Sequence, residues 1–251
     1  MTDAKILKII KETTSQSPFY HLKNTPYAIH KLLFPIFAAM QVPSLLQSYT
    51  IDKTAVEIYV PQPVFIQQLY QNNKGNAYWA QVWPASVGLC RFLNKYPEYI
   101  IDRNVLELAA GLGLPGLFAA RRALQVTITD KEPLAEFFVT ASAAHLQLSN
   151  VTAATLNWTE ASKTALPDVV LLSDVNYEPA VFEELQKVIE YFLTNHTTVI
   201  VSTPQRLVAK PFVMSLLPHC SFQWSDTVLL NNTETGVSIF VLQRNSGRSA
   251  Q

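Results

Sequence analysis

The chain has little of what several protein classes require. Only two cysteines, Cys90 and Cys220, occur in 251 residues, far apart and without CxxC spacing, so neither a disulfide framework nor a zinc site is expected. No sign of charge is in excess: 19 Lys+Arg face 19 Asp+Glu, and the pI is near 7.0. That balance excludes the basic footprint by which a general nucleic-acid binder holds phosphates. Charged residues make up 15% against 49% hydrophobic, the reverse of a disordered composition. The longest apolar run, residues 32–40, is too short to span a bilayer and contains Pro35. The first residues, MTDAKILKIIKETTSQ, alternate charge with apolar side chains and carry no signal-peptide core. These absences lead to the expectation of a soluble cytoplasmic protein with no membrane span. His21, His30, His145, His196 and His219 show no HxxxH spacing, and there is no GxSxG elbow, so neither a metal nor hydrolytic chemistry is expected.

What is present is a change of pattern along the chain. Apolar spacing predicts short helices over 3–11 and 27–40, the second interrupted by Pro35, and TAVEIYV at 54–60 reads as a strand. Residues 1–75 are read as an N-terminal extension packed on the main domain, 76–245 as that domain, and 246–251 as a frayed tail. From residue 76 onward, strands and helices alternate. Strands are expected at 105–109, 125–129, 151–156, 168–173 and 197–202, and helices at 115–123, 133–148, 178–193 and 207–217. Two further strands, 222–230 and 237–244, are separated by NNTETG, a link too short for a parallel crossover. The order implies an α/β fold: a Rossmann-like, doubly wound, seven-stranded sheet, parallel except for an antiparallel C-terminal hairpin. Ligands of such sheets bind beyond the carboxyl ends of the strands.

After the first of these strands comes ELAAGLGLPG at 107–116, in which Gly111, Gly113 and Gly116 match GxGxxG. Glycine lets the chain turn tightly and lets a ligand approach the backbone. The next strand ends at Asp130, 19 residues past Gly111, where a carboxylate can accept hydrogen bonds from both ribose hydroxyls; if that strand end faces solvent, the acid should matter little to stability without cofactor. Nicotinamide dinucleotides and S-adenosylmethionine both fit this signature. Two features favour the latter: no second substrate domain follows the hairpin, and Glu107 would attract the amino group of a methionine moiety but repel a pyrophosphate.

Four segments together resemble the class I, seven-β-strand S-adenosylmethionine-dependent methyltransferases, and within them the protein-lysine branch that includes the electron-transfer-flavoprotein β-subunit enzyme. They are YWAQVWPAS (78–86), VLELAAGLGLPG (105–116), VTITD (126–130) and SDVNY (173–177), the last matching the DxxY signature of that branch. One departure is Ala109, where the family usually has glycine. The resemblance implies a cofactor pocket lined by Trp83, the turn of Ala109, Ala110 and Gly111, then Gly113, Asp130, Trp158 and Ser173. It implies that Trp158 covers one face of the adenine, and that Asp174 binds and orients the acceptor amine while Tyr177 either hydrogen-bonds the amine or walls the pocket. The TPQR segment at 203–206 resembles a DPGR-like turn of the flavoprotein-subunit enzymes only loosely. The implied partner is a protein lysine. A small-molecule N- or O-methyltransferase and a catalytically idle cofactor-binding module are the alternatives on the same fold. For Asp174 a purely structural role, capping the helix expected near residue 178, is the competing reading.

Overall fold

The computed structural model describes residues 42–72, 74–176 and 178–244, with side chains omitted at 72–76. The helices expected over 3–11 and 27–40, the tail at 246–251 and Tyr177 lie outside the described residues. Two strands not fully anticipated open the structure: β1 (Ser44–Ile51) and β2 (Thr54–Pro61) form an antiparallel hairpin. Two helices that begin on proline follow, α1 (Pro63–Asn72) and α2 (Pro84–Lys95). Proline is tolerated there because its missing N–H has no intrahelical partner at the first turn.

The alternating region then runs β3 (Asn104–Leu108), α3 (Leu114–Ala119), β4 (Gln125–Asp130), α4 (Pro133–His145), β5 (Val151–Thr155) and β6 (Val169–Ser173). It continues through α5 (Phe182–Thr194), β7 (Thr198–Pro204), α6 (Lys210–Leu216), β8 (Cys220–Leu230) and β9 (Thr233–Leu242). The seven strands lie in the order β5-β4-β3-β6-β7-β9-β8. The first five are parallel, and β9 runs antiparallel to both β7 and β8. Strand order reverses at β3, whose neighbours are β4 and β6, so the crevice of the sheet opens above the ends of these three strands.

The period of two along each strand divides the core. Val105, Leu171 and Ile200 face α2, α3 and α4 through Phe92, Leu117 and Phe138. Leu106, Val170 and Val199 face α5 and α6 through Phe192 and Phe212. The β1–β2 hairpin joins the first layer: Ile51, Val56 and Ile58 are fully buried in it, and the Tyr59 N–H donates to Ser142 Oγ of α4 at 2.9 Å. Among the described residues no helix is long and apolar enough to cross a membrane.

The closing hairpin is tighter than its polar sequence suggests. Leu230 pairs directly with Thr233, leaving a two-residue turn in which Asn231 and Asn232 both adopt left-handed backbone, φ 51° and 60°. Asparagine tolerates that region, and the primed turn matches the twist of the flanking strands. The segment 233–236, expected to be loop, is therefore strand.

Candidate active site

The chain leaves β3 through a turn whose backbone is left-handed at Ala109 (φ 51°), Gly111 (φ 54°) and Gly113 (φ 67°). A Cβ on Gly111 would stand 2.9 Å from the Trp79 carbonyl oxygen, and one on Gly113 2.9 Å from the side chains of Ile128 and Val139. Both positions thus require glycine for conformation and for space. Asp130 fastens this turn to β4. Its Oδ2 accepts from the Gly111 N–H at 2.8 Å and its Oδ1 from the Glu132 N–H at 3.0 Å. The residue is only 8% exposed, not at a solvent-facing strand end. Burial pushes its carboxyl up, while the Gly111 and Glu132 N–H groups and the charge and backbone N–H of Lys131 pull against that shift. Each carboxylate oxygen has about two lone-pair sites, so acceptor capacity is left for ligand hydroxyls.

Glu107 is placed differently from the expectation. It is fully buried and does not line the cleft. Its Oε2 accepts from the Gly116 N–H at 2.7 Å, and its Oε1 has no hydrogen-bond partner among the described residues. The pleat explains this: Glu107 shares the face of Val105, which turns toward α3 and away from the crevice. Burial raises its pKa to about 8, opposed by the Gly116 N–H.

Above the strand ends lies a cleft of about 320 Å³. Of the expected residues it brings together Trp83, Ala109, Ala110, Gly111, Gly113, Asp130, Trp158, Ser173 and Asp174. The Trp83 Nε1–H donates to the Tyr78 carbonyl at 2.9 Å, which fixes the indole. Ser173 and Ser86 exchange a hydroxyl hydrogen bond at 3.0 Å, joining β6 to the start of α2. The wall also contains Asp130, Glu132, Asp174, Glu178 and Glu184, with Lys131 as its one lysine among the described lining residues. Such a wall favours cationic ligands.

Asp174 sits at the far end in left-handed backbone, φ 54°, with its N–H donating to the Ser202 carbonyl at 2.9 Å. Aspartate is one of the few non-glycine residues that adopt this region readily. Among the described residues its carboxylate caps no helix; α5 begins at Phe182 without a side-chain cap. Instead Arg206 donates a fork to it, Nη1 to Oδ1 at 2.9 Å and Nη2 to Oδ2 at 3.0 Å. Burial pushes the Asp174 carboxyl up and the Arg206 guanidinium pulls it down. Arg206 is the partner of Asp174 that the sequence did not single out; its only signal was the loosely matching 203–206 turn.

A glycine turn, an acid with spare lone pairs and two indoles around the switch point of a doubly wound sheet define a nucleoside-cofactor α/β protein. The family described as lysine methyltransferase matches residues 66–218. The chain belongs to that family. Histone-arginine methyltransferase METTL23 of Rattus norvegicus is 32% identical over 148 residues, 57% of this chain and 61% of that protein. Protein N-lysine methyltransferase METTL21A of Danio rerio is 33% identical over 130 residues, 49% of this chain and 59% of that protein. The chain thus spans about three-fifths of the length of these curated relatives. Among solved structures, the T. thermophilus 16S rRNA N2 G1207 methyltransferase RsmC in complex with AdoMet and guanosine superposes with a TM-score of 0.56 at 17% identity, over 80% of this chain and 51% of that one. The Pyrococcus abyssi tRNA (uracil-54, C5)-methyltransferase in complex with S-adenosyl-L-homocysteine gives 0.50 at 13% identity, over 78% and 44%. These likenesses show the fold.

Proposed function

We propose that the protein is an S-adenosylmethionine-dependent methyltransferase that modifies a lysine side chain of a protein acceptor in the cytoplasm. The observation that carries this reading is one cleft holding two buried acids, Asp130 beside the glycine turn and Asp174 beyond β6. Residues 76–245 form the proposed methyltransferase domain, with 1–75 as an extension packed on it and 246–251 as a tail. The family match starts at residue 66 and so reaches back into that extension.

When bound, the cofactor supplies a sulfonium methyl group for in-line displacement. Asp130 would accept hydrogen bonds from the ribose hydroxyls, Trp158 and Trp83 would wall the adenosyl group, and Ala109, Ala110, Gly111, Gly113 and Ser173 would shape the space around it. Glu107 serves the cofactor indirectly, by holding the turn from beneath. The acidic wall attracts the positive charge and opposes a polyanion, which supports a protein rather than a nucleic-acid acceptor. A free lysine amine has a pKa of about 10.4, so it must shed a proton to react. Asp174, with Tyr177 beside it in sequence, orients the amine, and the proton leaves to water; no general base and no metal is assigned.

Calorimetry tests the cofactor assignment. S-adenosylmethionine and S-adenosylhomocysteine are expected to bind in the micromolar range, on the order of −8 kcal/mol, and NAD not measurably; NAD binding alone would reverse the assignment. Incubation with tritiated cofactor and cell lysate tests the acceptor. Label on lysine in a protein band supports the reading, and label confined to a small-molecule fraction or absent altogether favours the alternatives named above.

A further inference from the structure

We infer that the Arg206–Asp174 pair makes the acceptor end of the cleft selective for a primary amine and closes it to a guanidine. The inference deepens the methyltransferase reading and rests on it. Both carboxylate oxygens of Asp174 are engaged by one planar fork, at 2.9 and 3.0 Å. Asp174 is 8% exposed, so little of its carboxylate is open to solvent. A guanidinium recognises a carboxylate by that same bidentate fork, and here the fork is already occupied from within the chain. An amine is a compact donor that needs one lone pair, and each oxygen keeps acceptor capacity beside the fork.

The pair is also pre-set. The loop that carries Arg206 is pinned to β9: the Gln205 N–H donates to the Gly236 carbonyl at 2.9 Å, and Gln205 Nε2 donates to Ser238 Oγ at 3.1 Å. The Asp174 loop is tied to β7 by its own N–H to Ser202, and the Thr203 hydroxyl donates to Asn176 Oδ1 at 2.9 Å. An incoming guanidine would have to evict Arg206 from a partly buried pair held on both sides. The fork has a second consequence. A lone carboxylate would hold the acceptor as ammonium, the unreactive form; paired with Arg206, Asp174 presents no net charge to it. Glu178 and Glu184, with Asp130, Lys131 and Glu132, are the other charged groups on the wall of the cleft. Arg206 is thus a positioning residue that acts through Asp174.

The test uses n-butylamine and n-butylguanidine as probes, titrated by ligand-observed NMR into the full chain with and without S-adenosylhomocysteine. Wild type should bind butylamine at least tenfold tighter than butylguanidine. Arg206→Gln should gain at least tenfold for butylguanidine and lose the preference, with S-adenosylhomocysteine affinity within twofold. Arg206→Lys, which keeps the charge without the fork, should gain less and guards against a folding defect in the first variant. A purely structural Arg206 would lower melting temperature and weaken both probes together. Equal binding of the probes to wild type, no binding of either, or an unchanged ratio in both variants would overturn the proposal. The probe ratio needs no turnover, so an absence of labelled protein would sink the methyltransferase reading without being mistaken for failure of this one.

Discussion

Asp130 ends and Asp174 follows the two strands that flank β3, and each is 8% exposed, yet they are held by different means. Asp130 accepts from two backbone N–H groups, those of Gly111 and Glu132. Asp174 is held by one side chain from a loop 32 residues away. A carboxylate fixed by backbone keeps its place whatever side chains surround it. One fixed by a single guanidinium depends on that residue and can be retuned by changing it. On the proposed assignment the cofactor end is thus the invariant half of the cleft and the acceptor end the adjustable half.

The sharpest way to break the comparison is Asp174→Ala. Transfer should fall at least about a hundredfold, or about 2.7 kcal/mol of transition-state stabilisation, because misplacing the acceptor by about 1 Å can cost that much. Cofactor affinity should stay within about twofold. Asp174→Asn tests the same loss while keeping a side chain that tolerates left-handed backbone. Near wild-type single-turnover rates in folded variants would remove Asp174 from the reaction and leave the two acids without the contrast drawn here.

Next in size is a pH effect confined to the cofactor half. Glu107 has a pKa of about 8 in the fold against 4.5 as its ordinary value. The folded chain therefore binds a proton that the unfolded chain has released, so stability declines as pH rises from about 4.5 and levels off above about 8. Between pH 6 and pH 8 the loss should be about 2 kcal/mol. Urea melts across that range check it, and Glu107→Gln, which keeps an acceptor for the Gly116 N–H, should flatten the slope. An unchanged slope in that variant would place the dependence elsewhere.

The same contrast explains what the sequence allowed one to read. The glycine turn and Asp130 belong to one β3–α3–β4 unit, so their chemistry shows as a spacing within a single stretch of chain. The fork between Asp174 and Arg206 joins two loops that become neighbours only because β6 and β7 pair in the sheet, and no local pattern announces it. Helix α2 was hidden for a related reason. Gly88 interrupts its helical signal, and it is there because a Cβ would stand 2.8 Å from the Val237 side chain of β9. The reach of Glu107 was misjudged because a strand's facing depends on the register of the whole sheet, which one acid beside a turn does not reveal. Whether Asp130 faces solvent was likewise not legible from its strand-end position; the structure leaves it 8% exposed.

That burial changes what Asp130→Ala should do. Two N–H groups would lose their acceptor as well as the ribose losing its own, so the unliganded protein should be destabilised by about 1.5 kcal/mol and cofactor binding weakened by a similar amount. Parallel melts and titrations measure the two losses. Weakened binding with an unchanged melt would mean that the turn holds without its acid, and would undo the claim that backbone hydrogen bonds make this half rigid.

The smallest effect concerns Ala109, where the family usually has glycine and the backbone is left-handed at φ 51°. An alanine there costs about 1–2 kcal/mol relative to a right-handed conformation, a cost glycine avoids. Glycine in turn gives the unfolded chain more freedom, worth about 0.4–1 kcal/mol against folding. Ala109→Gly should therefore stabilise the protein by only about 0.5 kcal/mol, a small rise in melting temperature, with cofactor affinity within about twofold because Gly111 and Asp130 still hold the turn. Asp174→Gly would free the same kind of backbone but strip Arg206 of its carboxylate, so it should lower stability as well as abolish transfer. A gain in stability for Ala109→Gly with activity kept, against a loss of both for Asp174→Gly, would place the left-handed position at Ala109 in the tolerated half and that at Asp174 in the functional one. A clear fall in stability for Ala109→Gly would show instead that the Ala109 methyl contributes packing that outweighs its backbone cost.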